Sequence, residues 1–216
     1  MKRPQLNEEE IRKIVKANNV PQSKFPVCVV AVRGYYLDSM GKSGRNDRGI
    51  FDDAIFIVTP DNIFRFEANT DPSRYRRGVG YGSAKGMAKL KTGIHMFGSG
   101  WHKNHMAFRQ CESFTVDRDK KGGGSYREKG WFGINFHRAG YSSTSSLGCQ
   151  TIRRGYFKIA RSIIMREMKK HGNIFGYNDW KQKVRLLPYI LINETDRRKG
   201  HFAVSGRFSN ETSTTA

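Results

Sequence analysis

Long apolar runs are missing from this 216-residue chain; nothing approaches the roughly 18 consecutive apolar residues of a membrane span. The opening stretch, MKRPQLNEEE, also lacks the apolar segment of a secretory signal. The expectation is a chain made in the cytoplasm that needs another route to act outside it. Cysteine is scarce: Cys28, Cys111 and Cys149 lie far apart with no Cys-x-x-Cys pair, so neither a zinc ribbon nor a redox couple is indicated and at least one thiol stays free. Periodic repeats are absent as well. Acidic residues number 19 against 39 Lys and Arg, a net charge of +20. That imbalance predicts attraction to a polyanion by counterion release and steering, and DNA, RNA, anionic lipid and an acidic wall polymer all qualify.

What the chain does contain is enough for a core. Hydrophobic residues make up 37%, with 14 Phe and 9 Tyr, and the length suits one domain with a short appendage. Asn7 to Ala17 reads as an amphipathic helix with Asn7 as N-cap and glutamates in its first turn. Val27 to Val32 reads as a buried strand, continuing to Tyr36, with Cys28 as a small core residue. Leu37 to Arg48 is a turn-rich loop without the ligand spacing of an EF-hand. Ala54 to Thr59 and Ile63 to Ala68 form a hairpin across Pro60, Asp61 and Asn62. The segment NTDPSRYRRGVGYGSAKG reads as a surface loop whose basic and aromatic residues could also stack on single-stranded nucleic acid.

Leu90 to Phe97 is a further strand with His95 on its solvent face, followed by a loop that presents His102 and His105. Cys111 to Arg118 is another strand, and DKKGGGSYREKG an exposed turn. Tyr156 to Lys170 has a helical period with a basic outer face and stops at Gly172. Val184 to Asn193 is a late strand that Pro188 places near a sheet edge, and the end, SNETSTTA, reads as a frayed tail. At least six strands and two helices describe a mainly β, α+β domain, not an alternating Rossmann pattern.

The stretch that carries chemistry is Gly130 to Ile152, GWFGINFHRAGYSSTSSLGCQTI. His137 closes an apolar run, a small hydroxyl-rich loop follows, and Cys149 stands behind Gly148. A cysteine nucleophile needs a base in reach, donors for an oxyanion and a backbone that permits close approach. The stretch offers each, with the Gly148 and Cys149 amides as oxyanion donors. A neighbouring imidazolium would lower the thiol from its usual value of roughly 8.5.

The run His137, Arg138, Gly140, Ser145, Ser146, Gly148, Cys149 resembles the catalytic signature of the L,D-transpeptidase (YkuD-like) family, especially the variant in bacteriophage-encoded wall enzymes. The similarity extends over about Arg33 to Ile152, through RGYY, DSMG, NDRG, FDDAIF, NTDPS and TGIHMFGSGWH. It implies an L,D-transpeptidase-like β-sandwich over residues 26–194, preceded by a helix and linker over 1–25 and followed by a partly flexible extension over 195–216. The resemblance further implies that Cys149 attacks a peptidoglycan stem-peptide carbonyl beside a diaminopimelate-type residue and forms a thioester. His137 would be the base, and Ser146 and Gly148 would shape the turn and oxyanion site. Arg138 is the candidate for a substrate carboxylate, with His102, Gly140 and Ser145 bordering the substrate groove. No cofactor or metal is implied. Hydrolysis, as a carboxypeptidase or endopeptidase, is favoured over transfer, in phage lysis or wall processing at the cell wall or periplasm after release. The cationic surface would adhere to an anionic envelope polymer, and nucleic acid would bind only non-specifically.

Leu147 stands where the family's block has histidine, and Thr151 where it has arginine. Two rival readings accompany these departures: an inactive protein of the same fold that binds nucleic acid or wall polymer, and a zinc peptidase using His102, His105 and His137.

Overall fold

A computed structural model describes residues 4–75, 85–205 and 208. The chain is mainly β, an α+β fold with large sheets. The first helix, α1 (Glu8–Ala17), starts where the Asn7 side chain accepts the Glu10 N–H at 2.8 Å, and Glu8, Glu9 and Glu10 occupy its positive end. Strand β1 (Cys28–Arg33) is followed by the hairpin β2 (Asp53–Val58) and β3 (Ile63–Asn69). After β4 (Ala88–Leu90) come β5 (Gly93–His102), β6 (His105–Gln110), β7 (Phe114–Asp119) and β8 (Ser125–Gly130). The short strands β9 (Phe136–Arg138) and β10 (Gln150–Ile152) flank the motif loop, and α2 (Arg154–His171) follows at once. The chain then forms β11 (Phe175–Tyr177), β12 (Lys183–Asn193) and α3 (Glu194–Arg198).

Nine strands form one sheet in the order β1-β2-β3-β10-β9-β6-β5-β12-β11, and β1 also pairs with β12 in parallel. Where a sandwich was expected from the sequence, the large sheet instead closes on itself, because β12 pairs with both β5 and β1, and it lies beside a three-stranded sheet β4-β7-β8. Strand alternation sends Val29, Ala31, Ile55 and Ile57 to one face, where they belong to the same core cluster as Phe157, Ala160, Ile164 and Met168 of α2. Cys28, Val30, Val32 and Phe56 go to the other, against Ile11, Ile14 and Val15 of α1. A strand buried on both faces reads as a continuous apolar run, as β1 does.

Several expectations are corrected. GSGWH is strand, not loop: a Cβ on Gly98 would meet Val184 Cγ2 at 2.3 Å and one on Gly100 would meet Arg109 Cδ at 2.5 Å. These glycines mark close packing against a neighbouring side chain. His95 is buried, not on a solvent face; its Nε2 lies 2.8 Å from the Lys91 carbonyl and its ring packs edgewise on Phe114. SYREKG is strand β8, whose exposed edge position makes its sequence look like a turn. Pro188 lies inside the sheet: β12 pairs with β5 through Leu186–Leu191 on one side, and on the other the β11 ladder ends at Arg185 and the β1 ladder begins at Tyr189. Pro188 falls in the gap between these two ladders, where a missing N–H costs no ladder bond.

The segment after β12 returns to the N-terminal part of the domain. Asn18 donates to the Phe202 carbonyl and accepts the Val204 N–H, both at 2.8 Å, and Phe208 packs on Phe25. The tail SNETSTTA and the loop over 76–84 lie outside the described residues.

Candidate active site

Strands β9 and β10 run parallel in register, Gln150 opposite Phe136 and Thr151 opposite His137. Asn135 and Cys149 each stand one residue ahead of these strands, so the ladder brings them together. The intervening loop is held from outside the motif. Ser73 donates its N–H to the Ser146 carbonyl at 2.8 Å, accepts the Ser146 N–H on Oγ at 2.7 Å, and shares a hydroxyl contact with Thr144 at 2.6 Å. Ser146 Oγ donates to the Cys149 carbonyl at 2.7 Å and accepts the Gly148 N–H at 3.0 Å. From the core, Gln150 donates to the Gly148 carbonyl at 3.1 Å and accepts the Tyr189 hydroxyl at 3.1 Å.

Gly148 has φ +142°, and a Cβ there would lie 2.0 Å from the Ala88 carbonyl oxygen. No other residue fits. Its amide is taken by Ser146 Oγ, which corrects the expectation of two free oxyanion donors: among the described residues only the Cys149 N–H of that pair makes no hydrogen bond.

The Cys149 sulfur accepts the Asn135 N–H at 3.4 Å and lies 3.9 Å from the Gly133 carbonyl, to which the thiol donates. It makes no hydrogen bond to His137 in this state. The His137 ring donates from Nδ1 to the Arg138 carbonyl at 2.6 Å, which leaves the Nε2 lone pair as the basic site. Burial pushes the imidazole down to about 3, with His102 adding to the effect. Burial likewise pushes the Cys149 thiol up to about 11, against the Asn135 N–H and the charges of Lys103 and Arg109. The expected imidazolium-thiolate pair is therefore replaced by a neutral thiol and a neutral base. Cys28 and Cys111 are pushed higher still, to about 12, by burial.

Cys149, His137 and His102 line one cavity of about 430 Å³, together with Ser145, Leu147 and Gly148. Leu147 and Trp180 stand half exposed at its wall. His102 stacks on His137 at 4.8 Å between ring centroids, and its Nδ1 accepts the Asn135 side-chain amide at 2.9 Å. His105 closes the group at 5.4 Å from His102 and 5.7 Å from His137. Among the described residues no three His, Cys, Asp or Glu side chains are placed to hold a metal ion.

Arg138 and Gly140 do not line this cavity. The Arg138 Nη2 reaches Asn104 Oδ1 at 3.4 Å, while its Nε and Nη1 are buried without a partner among the described residues. A Cβ on Gly140 would meet the Ser145 hydroxyl at 2.3 Å, so Gly140 admits the neighbouring loop residue. Asn135, Ser73 and Lys103 were not singled out from sequence. Asn135 precedes the histidine by two residues, which is a usable signal; Ser73 and Lys103 reach the site only through tertiary contacts.

Comparisons of the chain with family models, with curated proteins and with solved structures gave no match.

Proposed function

We propose that the chain is a peptidoglycan-modifying cysteine enzyme of the L,D-transpeptidase type, hydrolysing stem-peptide bonds beside a diaminopimelate-type residue. The observation that carries the reading is the presence of Cys149 and His137 on one cavity wall, with the Cys149 N–H free beside them. With both groups neutral, attack and deprotonation are coupled: Sγ bonds to the carbonyl carbon as its proton passes to His137 Nε2. The oxyanion faces the Cys149 N–H. Collapse breaks the C–N bond, the amine leaves with the proton from His137, and a thioester remains. Water, deprotonated by His137, then releases the new carboxylate and restores the thiol. Rotation of the thiol away from the Gly133 carbonyl precedes the first step.

In this reading the protein serves phage-type lysis or wall processing, reaches the wall after release, and uses its +20 charge to adhere to anionic envelope polymer. Among the described residues no helix is long and apolar enough to cross a membrane. The test is to incubate purified sacculi with wild type and Cys149→Ala and mass-analyse the muropeptides. New products from wild type alone support the mechanism; identical digests sink it. A second reading, a binding protein of the same fold for nucleic acid or wall polymer, draws on the Cys149 thiol being directed to a carbonyl and not to His137. That reading expects sacculus or DNA binding unchanged by Cys149→Ala.

A further inference from the structure

We propose that Lys103 is the specificity residue of the Cys149 cavity, selecting substrates that carry a free carboxylate beside the reacting carbonyl. This rests on the reading of the cavity as a substrate site.

The described cavity lining contains Lys103, Arg109 and Arg118 and no Asp or Glu. Two of the three cations are already committed. Arg109 pairs through Nε and Nη2 with both oxygens of Asp179, donates from Nη1 to the Trp101 carbonyl at 2.7 Å, and stacks on Trp180 at 3.8 Å from the ring centroid. Arg118 pairs with Glu128 and donates to the Gly86 carbonyl at 2.8 Å. Among the described residues Lys103 makes no ion pair and no side-chain hydrogen bond, which leaves it as the free cation of the lining. Its charge acts on the Cys149 thiol and on His102, His105 and His137 alike, lowering the proton affinity of each. The free charge therefore lines the same cavity as the reacting groups.

The backbone supplies a second, independent observation. His102 pairs with His105, so Lys103 and Asn104 form a two-residue hairpin turn between β5 and β6, and Lys103 adopts φ +53°. Hairpins of this length place glycine or asparagine at such a conformation, because a Cβ there is strained. A lysine is costly in that position for folding alone. Strain kept at the wall of a reactive cavity points to use of the side chain. A primary ammonium is a compact point charge on a flexible stem, suited to a carboxylate whose exact place varies with the bound peptide. In the stem-peptide reading, the free acid of the diaminopimelate-type residue is favoured and its amide is not.

Alkylation of Cys149 tests this without turnover, using iodoacetate and iodoacetamide at mildly alkaline pH and reading modification of Cys149 by peptide mass mapping. Relative to a free cysteine peptide, wild type is expected to favour the anionic reagent by about tenfold at low salt, an advantage that salt erodes. Lys103→Gly should abolish the preference while raising the thermal midpoint, since glycine relieves the turn. Lys103→Gln should abolish the preference without that gain. The proposal is overturned by a preference that Lys103→Gly leaves in place, by no preference in wild type, or by failure of both reagents to reach Cys149. It is overturned equally if Lys103→Gly lowers stability and slows the neutral reagent, which would make Lys103 structural. Because no peptide bond is cut, reagent selectivity can stand if the sacculus assay fails, and fail if it stands.

Discussion

The backbone N–H of Asn135 donates to the Cys149 sulfur across 3.4 Å. Each residue stands one position ahead of its strand in a parallel pair, so β9–β10 register brings the Asn135 backbone to the Cys149 side chain whatever side chain stands at 135. The Asn135 side chain then extends the arrangement by donating to Nδ1 of His102 and to the Gly133 carbonyl, both at 2.9 Å.

Asn135→Ala should leave the sulfur contact in place and release His102. The buried polar groups left behind predict a loss of about 1–3 kcal/mol, read by denaturant unfolding. Imidazole ¹⁵N shifts should show His102 leaving its single tautomer; unchanged shifts would refute the role of the amide.

The Cys149 thiol, pushed up to about 11 by burial, should alkylate at a rate that rises nearly tenfold per pH unit above neutrality, without a plateau near pH 7. An early plateau would indicate a resting ion pair with His137. For His137 the folded value of about 3 lies below the ordinary 6.5, so its contribution to stability is present above about pH 6.5 and is lost as pH falls toward 3. Imidazole NMR should find the ring neutral at pH 5.

Gly148→Ala places a methyl 2.0 Å from a backbone oxygen at φ +142°. Backbone must move to admit it, and a loss of at least about 2 kcal/mol is expected in chemical unfolding, with slower Cys149 alkylation as the loop shifts. A variant as stable as wild type would contradict the geometry.

Arg33 lies in the core, donating to Thr70 O at 2.7 Å and Leu90 O at 2.9 Å and pairing with Asp71 at 3.2 Å. Burial alone would raise the Asp71 carboxyl, but Arg33 and Lys89 outweigh it and hold the group below its ordinary value. Its contribution is thus present above the unfolded value and lost as pH falls through the folded one. Arg33→Met should cost about 3–5 kcal/mol at neutral pH, because it strands a buried carboxylate. A loss that does not shrink on acidification would speak against this pairing.

Legibility followed the range of the forces involved. Helices α1 and α2 were readable because their signals are local: the Asn7 cap, the acidic first turn, the α2 period and the Gly172 stop, which adopts φ +86°; the five-residue α3 is too short for a period and was missed. Strands β1, β2 and β3 were readable from apolar runs between turn residues. Strand β5 was cut short at Gly98 and β6 was missed, because glycines that admit Val184 and Arg109 look identical in sequence to glycines that make a loop. His95 was misplaced for a related reason, since its burial depends on Phe114 from another strand.

By itself the sequence determined the β-rich α+β class, the places of α1 and α2, and His137 and Cys149 as the residues to follow, because composition, period and capping act between near neighbours. Tertiary structure decided the rest. It set a neutral thiol and base where a charged pair was expected, since desolvation depends on everything packed around a group. It brought Ser73 to the motif loop, stacked His102 on His137, and left Lys103 as the cation of the cavity lining that is unpaired among the described residues, because ladders and ion pairs between distant segments fix those positions.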